Sequence, residues 1–190
     1  MSNVAVVFYS GYGHTIRQAQ AVGEGATNAG ASVTLVQVDA EGNIKDADWD
    51  VLNNADGIVY GAPTYMGGVP WQFKKFADAS SKQWFNRGWQ DKLAAGFTNS
   101  ASLNGDKGAT LLYLVTLASQ HGQIWVSLGQ LPANTKVADR NDLNNLGGSV
   151  GLLAQSPSDS SPDEGPLPGD LATAKLFGER FAQHVARFSK

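Results

Sequence analysis

Three short runs, Val4–Phe8, Gly57–Gly61 and Leu93–Asn99, are apolar or small throughout. A strand reads this way when it is buried on both faces, which requires a sheet covered by helices on each side. Two further strand patterns, Val33–Val38 and Gln123–Leu128, are interrupted by Thr34, Gln37, Gln123 and Ser127. Polar interruptions of this kind mark the edges of a sheet. Helical patterns fall between the strands at about Thr15–Ala29, Trp71–Ser80, Gly108–Gln120 and Asp170–Phe188, with a weak helical turn near Asp48–Asn53. Strict alternation of this sort predicts an α/β, doubly wound, three-layer sandwich with a five-stranded parallel sheet of order 2-1-3-4-5.

At 190 residues the economical reading is one domain over residues 1–190 with extra loops. Two segments exceed what the architecture needs. Residues 81–91 carry Trp84, Phe85 and Trp89 and read as either a pocket wall or a hydrophobic lid over the core. Residues 129–169 show little periodicity, and their end, Gln155–Pro166, reads as neither strand nor helix. Loops this long are functional or disordered, so an active-site rim and an assembly contact both fit.

The chain has no cysteine, which removes disulfides, thiolate metal sites and thiol nucleophiles. Its three histidines do not suggest a metal site either. A net charge of -3 with scattered Lys and Arg argues against a nucleic-acid partner. The first strand begins too early for a signal peptide, and no apolar run is long enough to insert in a membrane, so a cytoplasmic location is expected.

The turn Tyr9-Ser10-Gly11-Tyr12-Gly13-His14-Thr15 joins the first strand to the first helix. Backbone N–H groups at a helix N-terminus, with the hydroxyls of Ser10 and Thr15, satisfy phosphate oxygens without a cationic side chain. No lysine follows the glycines, so this is not a nucleoside-triphosphate loop. A dinucleotide fingerprint needs glycine where Ile16 stands, although Asp39 at the end of the second strand keeps a nicotinamide site open as an alternative. A helix cap without a ligand is the other reading.

In an open parallel sheet, ligands sit beyond the carboxyl ends of the strands where the order reverses, here between the first and third strands. Two more loops meet there. Pro63 fixes a turn, Tyr65 and Met66 offer faces to a flat ring, and Gly67 lets backbone approach. The loop Asn99-Ser100-Ala101-Ser102-Leu103-Asn104 is small and polar, with N–H groups suited to a ring's carbonyl edge. A phosphate at one end and a flat heterocycle between two loops describe a mononucleotide.

These residues resemble the flavodoxin-like fold, and specifically the tryptophan-repressor-binding-protein-like branch of NAD(P)H:quinone oxidoreductases. The resemblance spans essentially the whole chain. It rests on Ser10-Gly11-Tyr12-Gly13-His14-Thr15, Gly61-x-Pro63-Thr64, Trp84, Asp91-Lys92-Leu93-Ala94 into Phe97, Thr116-Leu117-Ala118 before His121-Gly122, and Gly147-Gly148. It implies FMN as cofactor, its phosphate on residues 10–15, its ring against Thr64, Tyr65 and Met66, and its pyrimidine edge on residues 99–104. It also implies hydride transfer from NADH or NADPH through the flavin to a small quinone-like acceptor, with Tyr12 near the nicotinamide and Trp84 near the quinone. His14 and His121 are candidate proton donors, with His121 also beside the substrate. A homodimer or homotetramer is implied as well. The chain departs from the family pattern at Tyr65-Met66 in place of Arg-Phe, at Ala101–Asn104 in place of Gly-Thr-Gly-Gly, and at Gln120-His121-Gly122 in place of His-His-Gly.

A one-electron FMN carrier without a substrate of its own competes with the reductase. A charge of -3 gives such a carrier little to steer a basic partner. A non-catalytic binding protein on the same fold is the third class.

Overall fold

A computed structural model describes residues 1–188. The chain runs β1 (Asn3–Tyr9), α1 (His14–Asn28), β2 (Ser32–Val38), α2 (Asp46–Asn54), β3 (Gly57–Pro63), α3 (Trp71–Ala79), α4 (Ser81–Phe85), β4 (Leu93–Ser100), α5 (Lys107–Gln120), β5 (Ile124–Trp125), β6 (Leu152–Gln155) and α6 (Pro168–Phe188). All strand pairs are parallel, in the order β2-β1-β3-β4-β5, with β6 also on β4. The flavodoxin-like order read from the sequence is the order found.

Side-chain alternation along the central strands builds two cores. Val4, Val6 and Phe8 of β1 face a layer made by α1 and α6, where Val22, Phe177 and Phe181 are buried. Ala5, Val7 and Tyr9 face the other side, against Leu52 of α2, Phe73 and Phe76 of α3 and Leu114 of α5. Because β3 and β4 are buried at every position, their small residues let the helices close over both faces.

The fifth strand differs from expectation. Only Ile124 and Trp125 pair as strand, opposite Leu93 and Ala94. Farther along, the edge of β4 is taken by β6, with Phe97 opposite Leu152 and Ser100 opposite Gln155. The edge is therefore one strand position filled by two segments, and the chain leaves the sheet between them. Val126 and Leu128 are buried, which is why they read as strand, yet Leu128 N–H bonds to Ser149 and not to β4. Gln155 ends β6 and was expected in a loop.

Of the three aromatics in the segment after α3, Trp89 alone packs into the core as a lid would, while Lys82, Gln83, Asn86 and Gly88 border a separate groove. Trp89 is fully buried, stacks near Trp49 and donates its indole N–H to Asn53 Oδ1 at 2.9 Å. Trp84 and Phe85 of α4 stay exposed. No helix among the described residues is long and apolar enough to cross a membrane.

Candidate functional site

The carboxyl ends of β1, β3 and β4 open into a cavity of about 520 Å³, within the range of small-molecule and cofactor sites. Its floor is the turn after β1. Gly13 sits at φ 85°, the left-handed conformation that glycine adopts without strain, and caps α1. Among the described residues, the N–H groups of Tyr12, Gly13, His14 and Thr15 have no protein acceptor. Ser10 Oγ accepts the Ile16 N–H at 3.2 Å, which leaves the hydroxyl proton free to donate. Thr15 is buried, lines the cavity and, among the described residues, engages no protein partner through its hydroxyl. Four unengaged N–H groups and two hydroxyls at a helix N-terminus form an anion cradle.

The wall from β3 is held rigidly. Thr64 N–H donates to the Asn99 carbonyl at 2.8 Å, and Thr64 Oγ1 lies 2.8 Å from both Thr98 and Thr110 hydroxyls. Replacing Thr64 by Val strands two buried hydroxyls and is expected to cost about 1–3 kcal/mol, read as a lower denaturant midpoint at unchanged slope. Tyr65 and Gly68 exchange both backbone hydrogen bonds around Met66 and Gly67, at φ 47° and 81°, a type I′ turn. Pro63, Thr64 and Tyr65 line the cavity. Met66 points fully into solvent and, with Tyr9, Gly11 and Trp71, borders a neighbouring groove of about 450 Å³. Tyr12 meets Tyr65 edge to face at 5.8 Å and divides the two spaces. Burial, reinforced by Tyr9 and Tyr12, pushes the Tyr65 hydroxyl up to about 12, so it stays neutral.

The third wall is Asn99, Ser100 and Ala101; Ser102, Leu103 and Asn104 continue it as an exposed rim. The fourth wall was not assigned from sequence. Ser156, Pro157, Ser158 and Ser160, directly after β6, close the cavity opposite the β3 loop. Ser156 Oγ donates to Asn99 Oδ1 at 3.1 Å. Farther on, the Gly165 carbonyl bonds His14 Nδ1 at 2.9 Å, and Arg17 binds both the Pro162 carbonyl and Asp163. The long late segment is therefore a rim of the site. His14 Nδ1 must carry the proton, since a carbonyl only accepts.

Two expected site residues lie elsewhere within one chain. Trp84 is on α4 and His121 caps the far end of α5, a helix of 14 residues and so about 21 Å long. His121 is buried against Trp89 at 4.5 Å and pairs with Ser80 Oγ at 2.9 Å. Ser80 gives its single hydroxyl proton to the Ala77 carbonyl, so His121 Nε2 is the donor. Nδ1 is then a bare, buried lone pair without a partner among the described residues. Burial lowers the imidazole to about 4, which leaves it neutral and unsuited to proton donation near neutrality.

The model of the family described as NADPH-dependent FMN reductase matches residues 10–136, from the cradle through the third wall and α5. The chain belongs to the NADPH-dependent FMN reductase family. Within that family it is 60% identical to a Pseudomonas aeruginosa protein named flavodoxin FldP, over 96% of each chain. It is 33% identical to an NAD(P)H dehydrogenase (quinone) of Geotalea uraniireducens, covering 98% of this chain and 99% of the other. Among solved structures it matches a WrbA-like flavodoxin from Agrobacterium tumefaciens at TM-score 0.78 and 50% identity, covering 98% and 99% of the two chains. The chain is thus a WrbA-like member of the FMN reductase family with the flavodoxin fold.

Proposed function

We propose that the chain binds FMN in the cavity and passes reducing equivalents from NADH or NADPH to a quinone-type small molecule. The observation that carries this reading is the run of unengaged N–H donors from Tyr12 to Thr15 at the end of a cavity with two polar walls. The phosphate fits the cradle, where Ser10 and Thr15 hydroxyls and the α1 N-terminus meet its charge. Thr64 and Tyr65 hold one side of the ring, and Asn99, Ser100 and Ala101 the other. When bound, FMN supplies the two-electron chemistry. The protein orients it, leaves one approach open beside Tyr12, and offers backbone donors where negative charge collects.

A carrier without its own substrate is the second reading, favoured by the flavodoxin name of the Pseudomonas relative. Stopped-flow mixing with NADH or NADPH separates the two. The reductase reading expects rapid bleaching of the flavin band and its return with benzoquinone; a loaded protein that neither nucleotide bleaches contradicts it. The cradle has its own test. Ser10→Ala with Thr15→Ala is expected to weaken FMN binding by about 10–100-fold, equal to about 1.4–2.7 kcal/mol, with the circular dichroism spectrum unchanged. Unaltered affinity would remove the phosphate from this loop.

Assembly into a homodimer or homotetramer is part of the proposal, supported by the exposed apolar side chains Trp84, Phe85 and Leu112. Light scattering reads the number of chains.

A further inference from the structure

The loop after β4 is organised by a buried cation. Lys107, the first residue of α5, is 1% exposed, and its ammonium binds the carbonyls of Ser102 at 2.7 Å, Leu103 at 2.8 Å and Asn104 at 3.3 Å. Ala101 sends its carbonyl to Gln155 Nε2 at 2.9 Å. In a trans peptide the C=O and the following N–H point in opposite directions. The N–H groups of Ser102, Leu103, Asn104 and Gly105 therefore face away from these carbonyl anchors, and among the described residues none has a protein acceptor.

Among the described residues the ammonium makes no direct contact with a carboxylate. The charges facing it are Asp170 from α6 and Arg140 from the segment before β6, and these two neutralise each other through a two-pronged ion pair at 2.7 and 2.8 Å. Burial lowers Lys107 to about 8. A buried charge whose nearest carboxylate is shared with an arginine is costly, and an anion across the loop offsets part of that cost.

We propose that Lys107 is a positioning residue that makes loop 101–105 the anion-accepting edge of the site, so that the chain holds the anionic reduced form of FMN more tightly than the neutral oxidised form. The inference rests on the FMN reading above. It biases the site toward two-electron reduction, the behaviour a nicotinamide-linked reductase needs.

The test is the midpoint potential of the FMN-loaded protein beside its affinity for oxidised FMN. Lys107→Met, similar in volume and uncharged, is expected to weaken the reduced form about tenfold more than the oxidised form, which lowers a two-electron potential by about 30 mV. Lys107→Arg keeps the charge and is expected to restore most of the shift. Equal shifts in both variants, or none, would show a merely structural lysine and overturn the proposal. Wild-type protein gives a reading that needs no variant to fold. By reciprocity, reducing the holoprotein with dithionite is expected to raise the Lys107 pKa by about one unit, followed by NMR of labelled lysine; no rise overturns the proposal. Wild-type protein that takes up no FMN defeats the cofactor reading itself, an outcome distinct from loaded protein with an unshifted potential.

Discussion

Gly178→Ala and Gly25→Ala are each expected to lower the melting temperature by roughly 6–12 °C, the largest stability losses among single-methyl additions to this chain. The two glycines lie where α1 and α6 cross. A Cβ on Gly178 meets the Val22 carbonyl oxygen at 2.0 Å, and one on Gly25 meets the Lys175 carbonyl oxygen at 1.9 Å. Both obstacles are backbone inside helices, so no rotamer change gives way and the helices must separate. Separation loosens the layer that buries Val22, Ala26, Phe177 and Phe181. Overpacking of this kind costs about 1–3 kcal/mol, and backbone that must move puts these two changes at about 3 kcal/mol; for a chain of this size each kcal/mol is about 2–4 °C. The Glu24–Lys175 pair bridging the same helices at 2.7 Å is half exposed and offsets little. Gly30→Ala is the control, because nothing lies within 4 Å of its Cβ and only its φ of 87° opposes the change, at about 1–2 kcal/mol. Calorimetry showing Gly178→Ala as stable as Gly30→Ala would refute the close crossing.

The same crossing shows what a sequence conceals. Gly25 and Gly178 fall inside the helical patterns Thr15–Ala29 and Asp170–Phe188 with no local reason to be glycine, and only the partner backbone gives them meaning. The sheet centre was legible because β1, β3 and β4 are buried on both faces and therefore carry apolar or small residues without a break. The edge was not, because Leu152–Gln155 is too short and too close to a Ser/Pro-rich stretch to read as strand; its pairing comes from β4. The cradle was legible, since glycine, serine and threonine between a strand and a helix have a local physical reason to be there. The fourth wall at Ser156–Ser160 was not, because a serine-rich loop reads alike whether it faces solvent or a cavity. Lys107 stands just before the helix that the sequence pattern places at Gly108–Gln120, and nothing local marks it, since a cation at a helix N-terminus is unfavourable. Its value lies in three carbonyls that only the folded loop brings together.

Acid sensitivity is expected to trace to His121. The unfolded imidazole titrates near 6.5 and the folded one near 4, so between those pH values the unfolded chain binds more protons and stability falls as pH falls. The full contribution is present above about pH 6.5 and is lost by about pH 4, a decline of about 3 kcal/mol. The cause is local: with Nε2 donating to Ser80, a second proton goes to Nδ1, which is buried without an acceptor beside Trp89. His184 acts in the same direction, held down by partial burial and by Arg180 and Arg187, and it remains as background when His121 is replaced. His121→Gln keeps an N–H donor within reach of Ser80 but does not titrate. Its melting temperature is expected to drop less between pH 7.5 and pH 4.5 than that of the wild type, by roughly 5–10 °C. Parallel curves for the two proteins would mean that His121 is protonated as easily in the fold as in the open chain, and the tautomer assigned from Ser80 would then be wrong.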